Sequence, residues 1–561
     1  MSGKGKVTCC AVCGGCGVLL TLVGISMLVV FPLVFPSIMK SELTLQADSE
    51  GQLSQTTFYW TQPPINNVFS FYFFDIQNVA DISFYGKTPI VTEVGPYVYR
   101  ETEHKRNLSW SGDGRRVWYQ NYKTWTFDRN ASCATCEYED YVTVPNAAMI
   151  AAIANMNEYN VTGIHKMIIQ VGLLIMGEYP IRTVRVGDLL FDGYEDPLLD
   201  VANKLKDISD VIGYDILKAI IPFPIPPLKK MGYFVNYNNS ADESYWINTG
   251  KDDSDNIGHI YTWANLTELP SEWYPTSEAR AIKGSDGSLY APYLTKSRQL
   301  NQFNSFLCRS LSLDYNEETV VRDIPALRFQ SPSSIYDTTL PENAGFRYAN
   351  LEKTDYYPTW PDCPNSTRSS PESCAALNLD CKVPDNYCSS CCNGSLIDGT
   401  YQLPPGMFPL KCFPGKVESA PFSAMFSAPH FFDAPPAVVA SVTGMKPNAD
   451  FHTPIVWDIE PTSGTTLEAR FRLQVSIPMY KDPKVISLMH VPNVILPSFW
   501  MESHVVLHDN MYSTLYLPFV LLPKLVMGIG IGLIVVSLLI IALSCFVIYR
   551  IKRQGKHQET L

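Results

Sequence analysis

The nine histidines are the residues best suited to metal or proton chemistry, and they are scattered along the chain. Only His504 and His508 have the i,i+4 spacing that would place two imidazoles on one face of a helix. Glu502 and Asp509 lie beside them in the sequence. These four residues could ligate a metal, but a polar surface next to a membrane is the favoured interpretation, and we predict no metal site.

The short motifs of common catalytic sites are missing from the sequence. It contains no Gly-x-Ser-x-Gly elbow, no His-Glu-x-x-His helix, no Walker phosphate loop and no calcium-loop pattern. Acidic pairs are too frequent among 55 Asp and Glu residues to identify an acid–base couple. We therefore predict no catalytic residue and no cofactor, and we do not expect an enzyme. The net charge of −12 also argues against nucleic acid as a partner.

Cysteine is the other chemically active residue, and its distribution is uneven. Ten of the 15 cysteines lie in the long central region, where an even number in an oxidising compartment predicts disulfides. A zinc site using Cys388 and Cys391 is the alternative for part of this group. The ten central cysteines are Cys133, Cys136, Cys308, Cys363, Cys374, Cys381, Cys388, Cys391, Cys392 and Cys412.

Sequons for N-linked glycosylation support an extracellular or luminal central region. They occur only there, and neither end of the chain carries one. The predicted glycosylation sites are Asn107, Asn130, Asn160, Asn238, Asn265, Asn365 and Asn393.

Two apolar stretches near the ends are long enough to cross a bilayer as helices. No charged residue occurs between Val7 and Met39, nor between Leu525 and Tyr549. The first stretch could be a secretory signal, but it is too long and lacks a small-residue cleavage site. We predict membrane spans at residues 12–36 and 524–549, with a glycosylated ectodomain at 37–523 between them.

Basic residues place both ends of the chain in the cytoplasm. Lys4 and Lys6 precede the first span, and a basic cluster that begins at Arg550 follows the second. Residues 1–11 and 550–561 are therefore predicted to be cytoplasmic tails. Four cysteines at the inner mouth of the first span are candidates for palmitoylation: Cys9, Cys10, Cys13 and Cys16. Gly528 and Gly532 form a small-x-x-x-small pattern that would let helices approach closely.

The central region has the pattern of an α+β fold with one large antiparallel sheet system. Aromatic, period-two segments bounded by Gly, Pro and Asn predict strands. They are Asn67–Phe74, Ile90–Tyr99, Arg116–Phe127, Gly232–Tyr237 and Glu468–Ile477. Three segments predict helices, which begin near Pro145, at Thr162 and at Asp200 and end near Asn155, at Met176 and at Lys218.

The helix predicted from Thr162 is apolar on nearly all sides. Only His165, Lys166 and Gln170 are clearly polar between its N-cap and Gly177. Such a helix is either buried in the core or presents an apolar surface to a lipid or protein partner. The sequence alone leaves both interpretations open.

Several motifs, in order along the whole chain, resemble the class B scavenger receptor family, which includes fatty acid translocase, the high-density-lipoprotein receptor and a lysosomal integral membrane protein. The segments are Phe73–Asn78, Glu93–Arg100, Gly193–Leu198, Tyr237–Asp242, Thr249–Asp252, Phe306–Ser310, Pro429–Phe432 and Asp458–Gly464. The resemblance implies a barrel-like antiparallel core under an apical helical bundle. It also implies an internal hydrophobic tunnel that carries lipid towards the membrane without chemical change, and a disulfide between Cys308 and Cys412.

The chain departs from the family pattern at the apex. The basic pair that fatty acid translocase carries there falls on Leu174–Glu178, which has no basic residue. Residues one or two turns earlier could contact ligand instead. Our candidate apex contacts are His165, Lys166, Ile168, Gln170 and Leu173.

The resemblance makes lipids, fatty acids, sterols or lipoproteins the expected partners, and the plasma membrane the expected location. Endosomal or lysosomal membranes are the alternative, with a role as trafficking receptor for a luminal protein. A two-span ligand-gated channel and an ecto-enzyme fit the sequence less well. The C-terminal Glu559–Leu561 could add to a PDZ domain, although a solvated tail explains it too, and the chain could form homo-oligomers.

Overall fold

A large antiparallel sheet dominates the computed structural model, which describes residues 3–212, 228–338, 340–350, 352, 354, 356–357, 403–420 and 423–559. Thirteen strands belong to this sheet, and β4 and β5 form a separate pair. The strands are β1 (Ile65–Ile76), β2 (Val91–Trp110), β3 (Arg116–Phe127), β4 (Tyr141–Pro145), β5 (Ile181–Arg185), β6 (Ser240–Asn248), β7 (Ile260–Trp263), β8 (Leu300–Asn304), β9 (Arg309–Val321), β10 (Ile324–Gln330), β11 (Met407–Pro409), β12 (Met425–Ser427), β13 (Ile455–Glu460), β14 (Thr465–Met479) and β15 (Val494–Leu507).

The main sheet nearly closes on itself. Its strand order is β7-β6-β3-β2-β1-β15-β14-β13-β10-β9-β8, so β7 and β8 are the two edges. A short segment bridges these edges: the Ile260 N–H donates to Gly284 O at 2.8 Å, and the Phe303 N–H donates to Ser285 O at 2.9 Å. The sheet therefore surrounds an interior space, and every second side chain of a strand points into it.

The α-helices of the described residues differ widely in length. The longest ones are at the ends of the chain, and α7, α8 and α9 are single turns. The helices are α1 (Gly3–Leu43), α2 (Gln55–Thr61), α3 (Val79–Tyr85), α4 (Ala147–Glu158), α5 (Gly163–Ile175), α6 (Pro197–Ile212), α7 (Ser277–Arg280), α8 (Pro436–Val439), α9 (Ala449–His452), α10 (Asp509–Tyr516) and α11 (Leu522–Glu559).

The two terminal helices pack along each other and are long and apolar enough to cross a membrane. Their close contact involves Gly24 and Gly530: a Cβ added at Gly24 would lie 2.8 Å from Gly530 O. Thr21 Oγ1 and Ser537 Oγ form a 2.7 Å hydrogen bond between the helices. The predicted small-residue pair, Gly528 and Gly532, lies elsewhere on α11. A Cβ added at either glycine would have no neighbouring atom within 4 Å.

The structure confirms the predicted α+β class with a large antiparallel sheet. One predicted strand is wrong: Gly232–Tyr237 forms turns, and its aromatic residues pack inward from them. The helix predicted from Asp200 begins earlier, at Pro197, and its predicted end lies outside the described residues. The strand predicted to end at Tyr99 continues to Trp110, so it also includes the charged residues Glu101, Glu103 and Lys105.

Candidate functional site

A cavity of about 460 Å³ lies inside the sheet and extends to its membrane-proximal end. Met39 and Leu43, at the end of α1, line one part of it, together with Phe519 just before α11. Phe191 and Phe234 line the part deep in the sheet. The cavity, which we call the bore, therefore joins the sheet interior to the place where the two apolar helices meet the ectodomain.

Aromatic and aliphatic side chains form one wall of the bore. They lie at alternate positions of neighbouring strands, such as Phe69 and Phe71 on β1 and Phe471 and Leu473 on β14. This period-two arrangement results from the pleat, which turns every second side chain inward. An acyl chain or sterol in the bore would therefore contact mainly hydrocarbon along this wall.

Packed aromatic rings line the deep end of the bore. The ring centroids of Phe191 and Phe234 are 5.4 Å apart, and Phe234 lies 5.8 Å from Phe71. No residue of α5 lines the bore, although the structure describes the whole of that helix. The bore therefore does not reach α5 in this structure.

A polar wall faces the aromatic one, and the sequence analysis missed it. Glu101, Glu103 and Lys105 occupy alternate positions of β2 beyond the end predicted for that strand. Although burial alone would raise the pKa of Glu103, the ammonium groups of Lys105 and Lys123 lower it to about 2. The sequence does show these charged residues at period-two spacing, but they lie beyond the end of the predicted strand.

The apical hairpin of α4 and α5 begins and ends with local capping signals. Asn146 Oδ1 accepts a 3.2 Å hydrogen bond from the Met149 N–H and caps α4. Gly177, with φ of +71°, follows α5 and allows the chain to turn. The predicted end of this second helix, with Gly177 as the stop, thus agrees with the structure.

Helix α5 is neither wholly buried nor wholly exposed. Ile169 and Leu173 belong to the core, and Leu173 is only 1% exposed. Apolar side chains cover its outer face, where Ile175 is 81% exposed and Ile168 is 44% exposed. The outer apolar face, which we call the apical patch, consists of Ile164, Met167, Ile168, Val171, Leu174 and Ile175.

The five candidate apex contacts do not share one environment. Ile168 belongs to the apical patch, and His165 is half-buried. Lys166 Nζ lies 4.0 Å from Asp482 Oδ2, while the Gln170 side-chain amide donates to the Lys484 carbonyl. Both polar side chains therefore tie α5 to a neighbouring loop. Leu173 is buried in the core and does not belong to the apical patch.

The four residues considered as a metal site do not lie on one helix. His504 belongs to strand β15, where its Nε2 is 2.8 Å from Glu468 Oε1, and His508 follows the end of that strand. In the described part of the chain, no group of three or more His, Cys, Asp and Glu side chains is arranged to hold a metal ion.

Two disulfides link described cysteines. Cys308 pairs with Cys412, the partner that the family resemblance implies, with Cα atoms 6.1 Å apart. Cys133 pairs with Cys136, with Cα atoms 5.0 Å apart. The six remaining central cysteines lie outside the described residues.

The predicted modification sites that the structure describes lie on the surface. The asparagines of five sequons are exposed, namely Asn107, Asn130, Asn160, Asn238 and Asn265. Asn365 and Asn393 lie outside the described residues. Cys13 and Cys16 are exposed on α1 near the cytoplasmic end predicted for the span, and Cys9 and Cys10 are in the same helix.

Comparison with known proteins gives whole-chain matches. Residues 15–548 match the CD36 family. An uncharacterized protein of Caenorhabditis elegans is 36% identical over 539 residues, covering 95% of this chain and 96% of that protein. Scavenger receptor class B member 1 of Bos taurus is 25% identical over 555 residues, covering 97% and 90%. Lysosome membrane protein 2 of Homo sapiens is 27% identical over 447 residues, covering 80% and 76%. These matches confirm the resemblance found in the motifs.

Proposed function

The chain belongs to the CD36 family, and on that premise we propose that it is a membrane receptor that transfers lipid. It binds lipids or lipoproteins at the apical patch and passes lipid through the bore into the membrane. The observation that carries this proposal is the bore itself, which opens where α1 and α11 meet the ectodomain.

The size and lining of the bore suit a lipid. Its volume of about 460 Å³ is within the roughly 300–1,000 Å³ typical of small-ligand sites. Keeping apolar surface out of water is worth about 25 cal/mol per Å², so a shielded path lowers the barrier for a lipid that leaves its carrier. No bond in the lipid needs to break, and we propose a non-catalytic receptor.

The apical patch supplies the docking surface for such a carrier. Six apolar side chains on one exposed helix face are unusual for a surface that meets only water. The patch faces away from the core, to which Ile169 and Leu173 attach α5. The same surface would suit a luminal protein, so the trafficking-receptor role is a second candidate.

We propose that both termini are cytoplasmic and that the protein resides in the plasma membrane, with spans at 12–36 and 524–549. Endosomal or lysosomal membranes remain the alternative location. A channel role receives little support from the second span. The Ser537 hydroxyl bonds to Thr21 and to the Ile534 carbonyl, which places it between the helices and away from any pore.

The test is a bulky substitution in the bore wall. Ala469 lines the bore, and Ala469→Phe would place a ring inside it. The probe is a phospholipid–sterol particle that carries a fluorescent sterol. We expect the variant to bind the particle as the wild type does but to transfer about tenfold less sterol to the cell, since the bore path is obstructed.

The matched control is Ala449→Phe, which adds the same ring at an exposed position. This control should leave both binding and transfer unchanged. Undiminished transfer by a correctly glycosylated Ala469→Phe receptor at the cell surface would overturn the proposed route through the bore.

A further inference from the structure

The polar wall of the bore contains more acidic than basic groups. Three neighbouring strands and the loop before β8 contribute to it. We call this set the bore charge cluster: Glu101 and Glu103 on β2, Lys123 on β3, Asp242 on β6 and Asp286 in the loop all line the bore. Lys105 on β2 is counted with them because it is ion-paired with Glu103 and Asp286. Four carboxyl groups thus face two ammonium groups, which leaves an excess of two negative charges when all are ionised.

The two lysines are already shared among the carboxylates. Lys105 contacts Glu103, and its Nζ is 3.8 Å from Asp286 Oδ2. Lys123 Nζ lies 3.6 Å from Glu101 Oε1 and 3.9 Å from Glu103 Oε2. In these ion pairs Glu103 contacts the ammonium groups of both lysines, whereas Glu101 contacts that of Lys123 alone.

Hydroxyl and amide donors satisfy only part of the remaining oxygens. The Tyr119 hydroxyl donates to Asp286 Oδ2 at 2.7 Å. Tyr245 and Ser305 both donate to Asp242 Oδ2, at 2.8 and 2.7 Å. The side-chain amide of Asn67 donates to Glu101 Oε1 at 2.8 Å. Each of these donors thus reaches one oxygen of a carboxyl group.

Four acceptor atoms in the bore wall lack a hydrogen-bond donor. They are Glu101 Oε2, Asp242 Oδ1, Asn121 Oδ1 and Gln302 Oε1, and their residues are 4%, 7%, 6% and 5% exposed. All four residues line the bore. Buried acceptors are normally satisfied, so a group that fits here must bring hydrogen-bond donors.

Protonation of two carboxyl groups offsets part of the excess of negative charge. Burial raises the pKa of Glu101 to about 7 and that of Asp242 to about 6, even though Lys123 lowers both. These are the same two carboxyl groups that carry unpaired oxygens. A cation beside these carboxyl groups would take the place of the protons.

We propose that the bore charge cluster is a head-group subsite for amphiphiles with a primary ammonium group. The inference rests on the proposed lipid-transfer function and specifies its ligand class. An ammonium head brings positive charge, which offsets the charge excess, and three N–H donors, which the unpaired acceptors require. A hydroxyl head brings one donor and no charge, and a carboxylate head meets only repulsion from the acidic groups.

The test compares three probes with the same sixteen-carbon chain: hexadecylamine, hexadecanol and palmitate. Equilibrium binding is measured on the full-length receptor in neutral detergent at pH 7.5. We expect the amine to bind about tenfold more tightly than the alcohol, because close charge pairs in buried sites have large coupling energies. Palmitate should bind most weakly.

Isosteric variants show whether the cluster causes the preference. Glu101→Gln and Asp242→Asn should each weaken amine binding about fivefold or more and leave hexadecanol binding within about twofold. Unchanged hexadecanol binding also shows that the variants are folded. Glu272→Gln, at an exposed acidic residue, is the matched control and should bind all three probes as the wild type does.

The two proposals fail in different ways. If hexadecanol and palmitate bind but the amine has no advantage, or if the variants weaken all three probes alike, the ammonium subsite is overturned and the lipid bore is retained. If none of the three chains binds, the proposed lipid-transfer function is overturned, and the subsite with it.

Discussion

His430 Nε2 lies 2.6 Å from Glu93 Oε2, and this contact ties the loop after β12 to strand β2. The other ring nitrogen, Nδ1, accepts a 3.0 Å hydrogen bond from the Lys446 N–H. In a neutral ring the proton is therefore on Nε2, which donates to Glu93. Trp500 of β15 donates to the same carboxylate oxygen at 2.7 Å. One carboxylate thus joins three distant parts of the chain.

We expect His430→Asn to lower the free energy of unfolding by about 1–3 kcal/mol, because Glu93 loses a donor in a partly buried site. Asparagine is the chosen replacement because His430 has a φ of +54°, which asparagine tolerates well. The measurement is thermal unfolding of the purified receptor in detergent at pH 7.5. His490→Asn, at an exposed histidine, is the control, and an equal shift in both variants would contradict the expected role.

Local patterns in the sequence were sufficient to predict much of the sheet. The strands around Phe69 and Phe471 follow from period-two aromatic and aliphatic residues, and the terminal helices follow from long uncharged stretches. Both patterns depend only on which side of one element is apolar. For that reason they could be read without knowledge of the partners across the sheet.

The interior of the bore could not be predicted in this way. Glu101 and Asp242 are far apart in the chain and meet only because β2, β3 and β6 are neighbours in the sheet. A charged residue at alternate positions normally indicates a solvent-facing strand, so the pattern alone would have placed these carboxyl groups outside. Leu173 illustrates the same limit, since a helix apolar on nearly all sides does not reveal which face meets the core.

Glu101 should make the stability of the receptor depend on pH. Its pKa is about 7 in the folded protein, above its usual value of 4.5, so the folded state retains a proton that the unfolded chain releases. Stability is therefore lost as pH rises through this range. We expect Glu101→Gln to unfold at a higher temperature than the wild type at pH 7.5, with a difference that shrinks towards pH 5.

His452 makes stability depend on pH in the opposite direction, and its contribution must be separated from that of Glu101. Burial, with His430 beside it, lowers the pKa of His452 to about 4, so its contribution to stability is lost as pH falls from about 6.5 towards 4. Because both proteins contain His452, its effect cancels in the difference between wild type and Glu101→Gln. A difference that is constant from pH 5 to 7.5 would contradict the raised pKa of Glu101.

The two described disulfides should differ in their contribution to stability. The Cys308–Cys412 bond closes a segment with a sequence separation of 104 residues, whereas Cys133 and Cys136 are separated by 3. In the chain-entropy model, closing the long loop is worth about 4–5 kcal/mol and the short one about 2 kcal/mol. We expect the double change of Cys308 and Cys412 to Ser to reduce surface expression far more than the double change of Cys133 and Cys136. Equal losses, measured by surface labelling and glycan maturation, would contradict this.

The two faces of α5 allow docking and folding to be tested separately. Ile168 is 44% exposed, so Ile168→Asp should cost little in folding, with a change of unfolding free energy within about 0.5 kcal/mol. It should abolish particle binding if the apical patch docks ligand, because a carboxylate in an apolar contact must be desolvated.

Leu173 is 1% exposed, so Leu173→Asp should bury an unpaired carboxylate at a cost of several kcal/mol and leave the protein intracellular with immature glycans. The measurement is glycan maturation and surface level beside binding of the phospholipid–sterol particle. Normal particle binding by a fully mature Ile168→Asp receptor would show that the ligand docks elsewhere.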